Sequence, residues 1–158
     1  MKSYTRTETI MFAIDTNILV YAHNADSKFN QEAKAFLEQV MSQKDSNGNL
    51  TVCIPAQVFM EFINVITWEK LPKPLTLPQA IMVIQDYLMT DINVSTQQEA
   101  HINTFLDLLA GVTSRKKTFD VALAAILKDN GIEGIYTVNT SDFNEFNFLT
   151  VINPLLKK

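Results

Sequence analysis

The sequence predicts an α/β protein built on a central parallel sheet with helices on both faces. Two observations carry that expectation. Short apolar runs that read as strands alternate along the chain with helical patterns. Those runs are continuously apolar, as in strands buried on both faces, and lack the apolar–polar alternation of a half-solvated sheet. Size agrees. The 158 residues correspond to a single domain over 1–158. A chain of this length buries roughly 70% of its unfolded surface and needs no metal or disulfide to fold.

The elements follow in order. Met11–Ile14 is an apolar run ending at Asp15 and predicts the first strand, placed centrally, with Asp15 at its end. Ile18, Leu19, Tyr21 and Ala22 have helical spacing. Ser27 to Lys44 is amphipathic, with Phe29, Ala33, Phe36, Leu37 and Val40 on one face. The cluster 45–49 is a turn. Leu50 to Ile54 is a second strand, and Pro55 opens a helix reaching Trp68. The prolines at 72 and 74 make a rigid elbow. Leu77 to Met89 is helical with Pro78 in its first turn, and Ile92–Val94 is a short strand. Gln97 to Leu109 is helical and Gly111 to Lys117 is a loop. Phe119 to Asn130 is an apolar helix closed by Gly131 at its carboxyl end. Ile135 to Val138 and Thr150 to Ile152 are the last strands.

Composition excludes several classes. Hydrophobic residues make up 47%, charged residues 19%, and there are only 4 glycines and 5 prolines, so disordered, collagen-like and disulfide-scaffold proteins are out. Thirteen Lys and Arg against 17 Asp and Glu give a charge of -4, so no global basic field grips nucleic acid, and such a partner needs a local patch. Cys53, the single cysteine, reads as a buried thiol in a reducing cytosol. No run reaches the ~18 apolar residues of a membrane span. Residues 1–10 lack the apolar core of a secretory signal. The expectation is a soluble, cytoplasmic protein with no membrane contact.

In a parallel α/β sheet the ligand site lies beyond the carboxyl ends of the strands. Four acids fall near such places. Asp15 follows the first strand, where it could equally cap the next helix. Glu61 sits on a helix that is apolar almost all round, in a narrow polar stripe of Gln57, Glu61, Asn64 and Trp68. Facing water, that stripe is an ordinary surface; facing a cleft, it makes Glu61 a ligand. Asp120 opens an apolar helix, a position the helix macrodipole also favours. Asp142 lies in a polar loop after a strand. Four gathered carboxylates raise one another's pKa. A hard divalent cation, Mg²⁺ or Mn²⁺, resolves that repulsion through carboxylate and water oxygens. His23, His101 and Cys53 offer no zinc-ligand set.

At these residues the chain resembles the PIN-domain family, most closely its toxin nucleases of the VapC type. Residues 14–22 resemble the first family motif, 54–62 the second with its helix-borne acid at Glu61, and 119–125 the third, where an Asp opens an Ala-rich helix. Residues 137–143 are similar to the family's T-x-N-x-x-D-F. The likeness runs from Phe12 to about Ile152. It implies a PIN-like three-layer fold and metal-dependent hydrolysis of RNA phosphodiesters, with Asp15, Glu61, Asp120 and Asp142 holding one or two ions. Either Asp15 or Asp120 orients the attacking water. Asn139 offers a carbonyl oxygen without charge, so Asp142 is taken as the fourth acid and Asn139 as a supporting or substrate contact. Asn17 resembles a residue that helps hold the site. Segment 68–94 matches no motif and reads as a longer helical arm.

The basic cluster Arg115, Lys116 and Lys117 is the candidate RNA-phosphate contact. The phenylalanines fall in apolar patterns and read as core, not as a base-stacking platform. Toxins of this type are held inactive by a small antitoxin and often form homodimers, so both are expected partners. The competing reading is a non-catalytic PIN-like interaction module. An unrelated α/β phosphatase with Asp15 as nucleophile lacks its second acid, because position 17 is Asn. Nucleotide-binding and serine-hydrolase motifs are missing from the sequence.

Overall fold

Four strands pair in the order β2-β1-β3-β4, every pair parallel. They are β1 (Phe12–Ile14), β2 (Val52–Cys53), β3 (Gly134–Tyr136) and β4 (Thr150–Ile152). The computed structural model describes residues 10–156. The stretch read as lacking a secretory signal lies, through residue 9, outside the described residues. The helices are α1 (Thr16–His23), α2 (Asn30–Ser42), α3 (Ala56–Ile66), α4 (Leu77–Leu88), α5 (His101–Leu109) and α6 (Thr118–Asp129). α1 packs on α2 and α3, α3 on α4, and α5 on α6. These helices flank the sheet in a three-layer α/β architecture. No described helix is long and apolar enough to cross a membrane.

The core follows the predicted runs. Ala13, Ile14, Val52, Cys53 and Ile135 are buried on the sheet, and Val121 and Leu123–Leu127 along α6. Three alanines in α6 keep that helix slim where it packs. The Cys53 thiol is buried, and burial pushes its pKa up to about 12, so it is an inert core group.

Several boundaries differ from the sequence expectation, each for a local reason. β3 starts at Gly134, which pairs with Phe12. A Cβ there would meet the Phe12 ring at 2.5 Å, so only glycine lets that ring lie across β3 and stack on Tyr136 at 4.6 Å. The expected strand Ile92–Val94 is one bridge, Asn93 to Cys53, extended by the Ile54 and Ala56 N–H groups donating to Asn93 and Ser95. α5 begins at His101, not Gln97, after a turn closed by His101 N–H on the Gln98 carbonyl. The end of the expected 111–117 loop is a 3-10 turn, Arg115–Lys117, capped by the Ser114 hydroxyl. Gly131 closes α6 as expected, with φ +68. α4 carries a Thr76–Gln79 capping box, which accounts for a helix start right after the proline elbow.

Candidate active site

The two middle strands end side by side. Beyond the Ile14–Tyr136 pair, the Asp15 N–H donates to the Tyr136 carbonyl, and the Thr137 N–H donates to the Ile152 carbonyl. Asp15 and Thr137 therefore stand at the carboxyl ends of β1 and β3. The chain leaves β1 toward β2 on one side, while β3 leads to β4 on the other. That divergence is the switch point where α/β sheets open a crevice.

Asp15 is buried and held on both oxygens. Oδ1 accepts from Thr16 N–H at 2.8 Å, which caps α1. Oδ2 accepts from the Thr137 hydroxyl at 2.7 Å and from Asn17 Nδ2 at 3.3 Å. The Thr137 hydroxyl in turn accepts from Asn139 N–H, and Asn17 Oδ1 accepts from Val138 N–H. Asn17 thus ties α1 to the loop after β3. Asn139 contributes its backbone to the same knot.

Glu61 reaches the site from the middle of α3. Its Oε2 accepts from the Thr16 hydroxyl at 2.8 Å and its Oε1 from Gln57 Nε2 at 3.0 Å, one helical turn earlier. The polar stripe of α3 thus faces a cleft at Glu61 and Asn64, with Gln57 bonded to Glu61 beside it. Trp68 lies beyond the helix end. The helix is less enclosed than expected: Met60 and Val65 are exposed beside the stripe. Asp120 stands half-buried in the first turn of α6, and Asp142 ends the 3-10 turn Thr140–Asp142. All four acids, with Asn17 and Asn139, line one cleft of about 390 Å³.

The carboxylates sense one another. Burial raises the pKa of Asp15, the Thr137 and Thr16 hydrogen bonds oppose the rise, and the charges of Glu61 and Asp142 add to it. Asp120 is pushed up to about 6 by partial burial and then by Asp142, Asp15 and Glu61, with Lys117 pulling the other way. A cavity of about 450 Å³ lies at the opposite end of the sheet beside Asp45 and Asp91. Those acids are already engaged, Asp45 by the N–H groups of Asn47 and Asn49 and Asp91 by Lys44.

Only carboxylate, hydroxyl and amide groups and apolar or aromatic side chains line the acidic cleft; no histidine or cysteine does. That donor set fits a hard divalent cation. Among the described residues no group of three or more His, Cys, Asp or Glu side chains stands close enough together to hold a metal ion. Mg²⁺ characteristically keeps several waters and takes one or two carboxylates, so an open arrangement of acids suits it.

The basic cluster is split. Lys117 is committed to Glu145 at 2.7 Å, while Arg115 and Lys116 are exposed and make no ion pair among the described residues. Thr16 and Thr137, which orient the acids, had no assigned role in the sequence reading. Thr137 fell inside the expected strand 135–138, where a threonine reads as a strand former.

The PIN domain family matches residues 12–149. The chain belongs to that family. Among curated relatives, this PIN domain is 29% identical over 148 residues to Ribonuclease VapC24 of Mycobacterium tuberculosis, covering 92% of this chain and 97% of that protein. Its fold is similar to that of the Mycobacterium tuberculosis VapC20 toxin, described as sarcin-ricin loop cleaving (TM-score 0.61, 16% identity, 85% of this chain and 95% of that one). It is also similar to a chain of VapBC2 from Rickettsia felis, solved bound to a promoter DNA fragment (TM-score 0.63, 15% identity, 90% and 98%).

Proposed function

We propose that this PIN domain is an endoribonuclease that hydrolyses RNA phosphodiesters with Mg²⁺ or Mn²⁺, and that it is the toxin of a toxin–antitoxin pair. The observation that carries the reading is the convergence of Asp15, Glu61, Asp120 and Asp142 in one cleft at the switch point of the sheet. The likeness to a named ribonuclease along nearly the whole chain supports it.

The four acids would hold the cation, which when bound would neutralise charge on the phosphoryl oxygens and make a nearby water more acidic. Asp15 is a fixed ligand, because both its oxygens are already clamped. Glu61 is aimed by Thr16 and Gln57. Asp120 is the better group to orient water. It is half-exposed, and among the described residues no hydrogen bond holds its carboxylate. Arg115 and Lys116 are placed before it for the RNA backbone.

A small antitoxin would lie over the exposed Val65 at the rim of the acidic cleft and set a basic side chain among the acids. A homodimer is part of the same reading. The test is incubation of purified protein with mixed single-stranded RNA in Mg²⁺, Mn²⁺ or chelator. Cleavage in metal only is expected. A protein that binds neither metal and cuts nothing is the non-catalytic interaction module instead.

A further inference from the structure

Phe119 is out of place by ordinary packing rules. It is 75% exposed, the most exposed phenylalanine among the described residues, although it opens an otherwise deeply buried helix. The apolar sequence pattern predicts a core position for the phenylalanines, and Phe119 departs from it. Phe119 immediately precedes Asp120. Successive residues on a helix diverge by about 100°, so the two side chains serve adjoining surfaces rather than the same one. Its backbone is fixed from the acidic site: Gln57 Nε2, which donates to Glu61 Oε1, also donates to the Phe119 carbonyl at 3.2 Å.

Beside Phe119 lies a second cleft of about 430 Å³, within the ~300–1,000 Å³ range of small-ligand sites. One wall is Phe119 on α6; the other is Ile102 and Phe105 on α5, with the His101 ring stacked on Phe105. Ile102 is itself 59% exposed. Gln97 and Gln98 also line the cleft; Gln98 Nε2 already donates to Asn130 Oδ1 at 2.9 Å, and the Gln97 amide can donate and accept hydrogen bonds. Arg115 and Lys116 lie exposed on the turn just before.

The geometry points to a nucleobase subsite: the base of a nucleotide flanking the scissile phosphate stacks on Phe119, in the slot between α5 and α6. This rests on the nuclease reading above. A flat, exposed aromatic joined through the chain to a phosphodiester site matches a π-face rather than a peptide side chain. The adjacent cations supply the charge that a strand entering an acidic cleft requires. The Gln97 amide reads the edge of the stacked base, which makes the slot a determinant of where the strand is cut.

The test uses the full chain and a labelled single-stranded RNA 12-mer, with one abasic site walked along it. Binding is read by anisotropy in Ca²⁺, and cleavage of the intact strand is read separately in Mg²⁺. In the wild type, one abasic position next to the cut should weaken binding roughly 5- to 150-fold. Phe119→Ala should lower affinity for the intact RNA by a similar factor and abolish that position's abasic penalty, while Phe119→Trp keeps both. Phe119→Ala that binds and discriminates like wild type overturns the subsite while leaving cleavage, and so the nuclease reading, standing. RNA that is bound with the abasic penalty but never cut overturns the nuclease and keeps the slot. RNA neither bound nor cut sinks both. A Phe119→Ala effect confined to self-association in sedimentation makes the slot an interface between copies and overturns it as a base site.

Discussion

The Thr137 hydroxyl donates to Oδ2 of Asp15 at 2.7 Å, across the seam between β1 and β3. Both groups are buried, and no base lies among the interactions that set the Asp15 pKa. The bond therefore does what a cation would otherwise have to do alone: it offsets part of the cost of keeping a carboxylate charged out of water.

Thr137→Val keeps the shape and removes the donor. It should cost about 1–3 kcal/mol where Asp15 is ionised, the range for an unsatisfied buried partner. The sign follows from the direction of the bond. It favours the charged carboxylate, so its loss raises the Asp15 pKa further, and the deficit grows as pH rises. Urea melts in chelator at several pH values test this, with Thr137→Ser expected to restore stability. A deficit that is flat with pH would mean that Thr137 acts by packing.

Thr16→Val leaves α1 intact but frees Glu61 Oε2. Groups that orient metal ligands typically contribute 10- to 100-fold in affinity or activity. RNA cleavage and Mg²⁺ affinity should fall together in that range, with little change in melting temperature. Unchanged Mg²⁺ dependence would remove Thr16 from the site.

Much of this was legible in the sequence, for physical reasons. Continuous apolar runs gave a buried parallel sheet, which fixed where its carboxyl ends lay and hence which acids could meet. Glu61 was legible because a lone acid on a mostly apolar helix must face a solvated surface or a cleft. The clamps were not legible: Thr137 follows β3 and Thr16 opens α1, and only the β1–β3 register and the packing of α1 on α3 bring them to Asp15 and Glu61. Nor did composition show that Lys117 is tied to Glu145 across 28 residues of chain.

That pairing sharpens the expectation for RNA. Arg115 and Lys116 are the free cations, so Arg115→Ala with Lys116→Ala should lower the salt dependence of RNA binding by about 1.4 in log–log slope, at ~0.7 per phosphate contact. Lys117→Ala should change it less and cost little stability, as solvent-screened pairs do. Binding isotherms over a range of salt concentrations decide. Equal slopes for the wild type and both variants would place the strand elsewhere.

Asp120 separates an enzyme from an interaction module. Its pKa in the folded protein, about 6, lies above the ordinary 3.8. The native state therefore holds that proton more tightly than the unfolded chain does. The resulting stabilisation is complete below about pH 3.8 and is lost as pH rises through about 6. Asp120→Asn removes the titration. In chelator the variant should match wild type in acid and become the more stable of the two as pH approaches neutrality. If the acids hold a metal, Mg²⁺ should restore the wild type and not the variant, whose RNA cleavage should drop by orders of magnitude. Protons should also compete with the ion, so wild-type cleavage should need more Mg²⁺ at pH 5 than at pH 7.5. Melts at pH 4, 6 and 8 with chelator or Mg²⁺, run beside cleavage assays, carry the comparison. An Asp120→Asn protein less stable than wild type at neutral pH, from a wild type indifferent to Mg²⁺, would make the acid a structural group and this PIN domain a binding module.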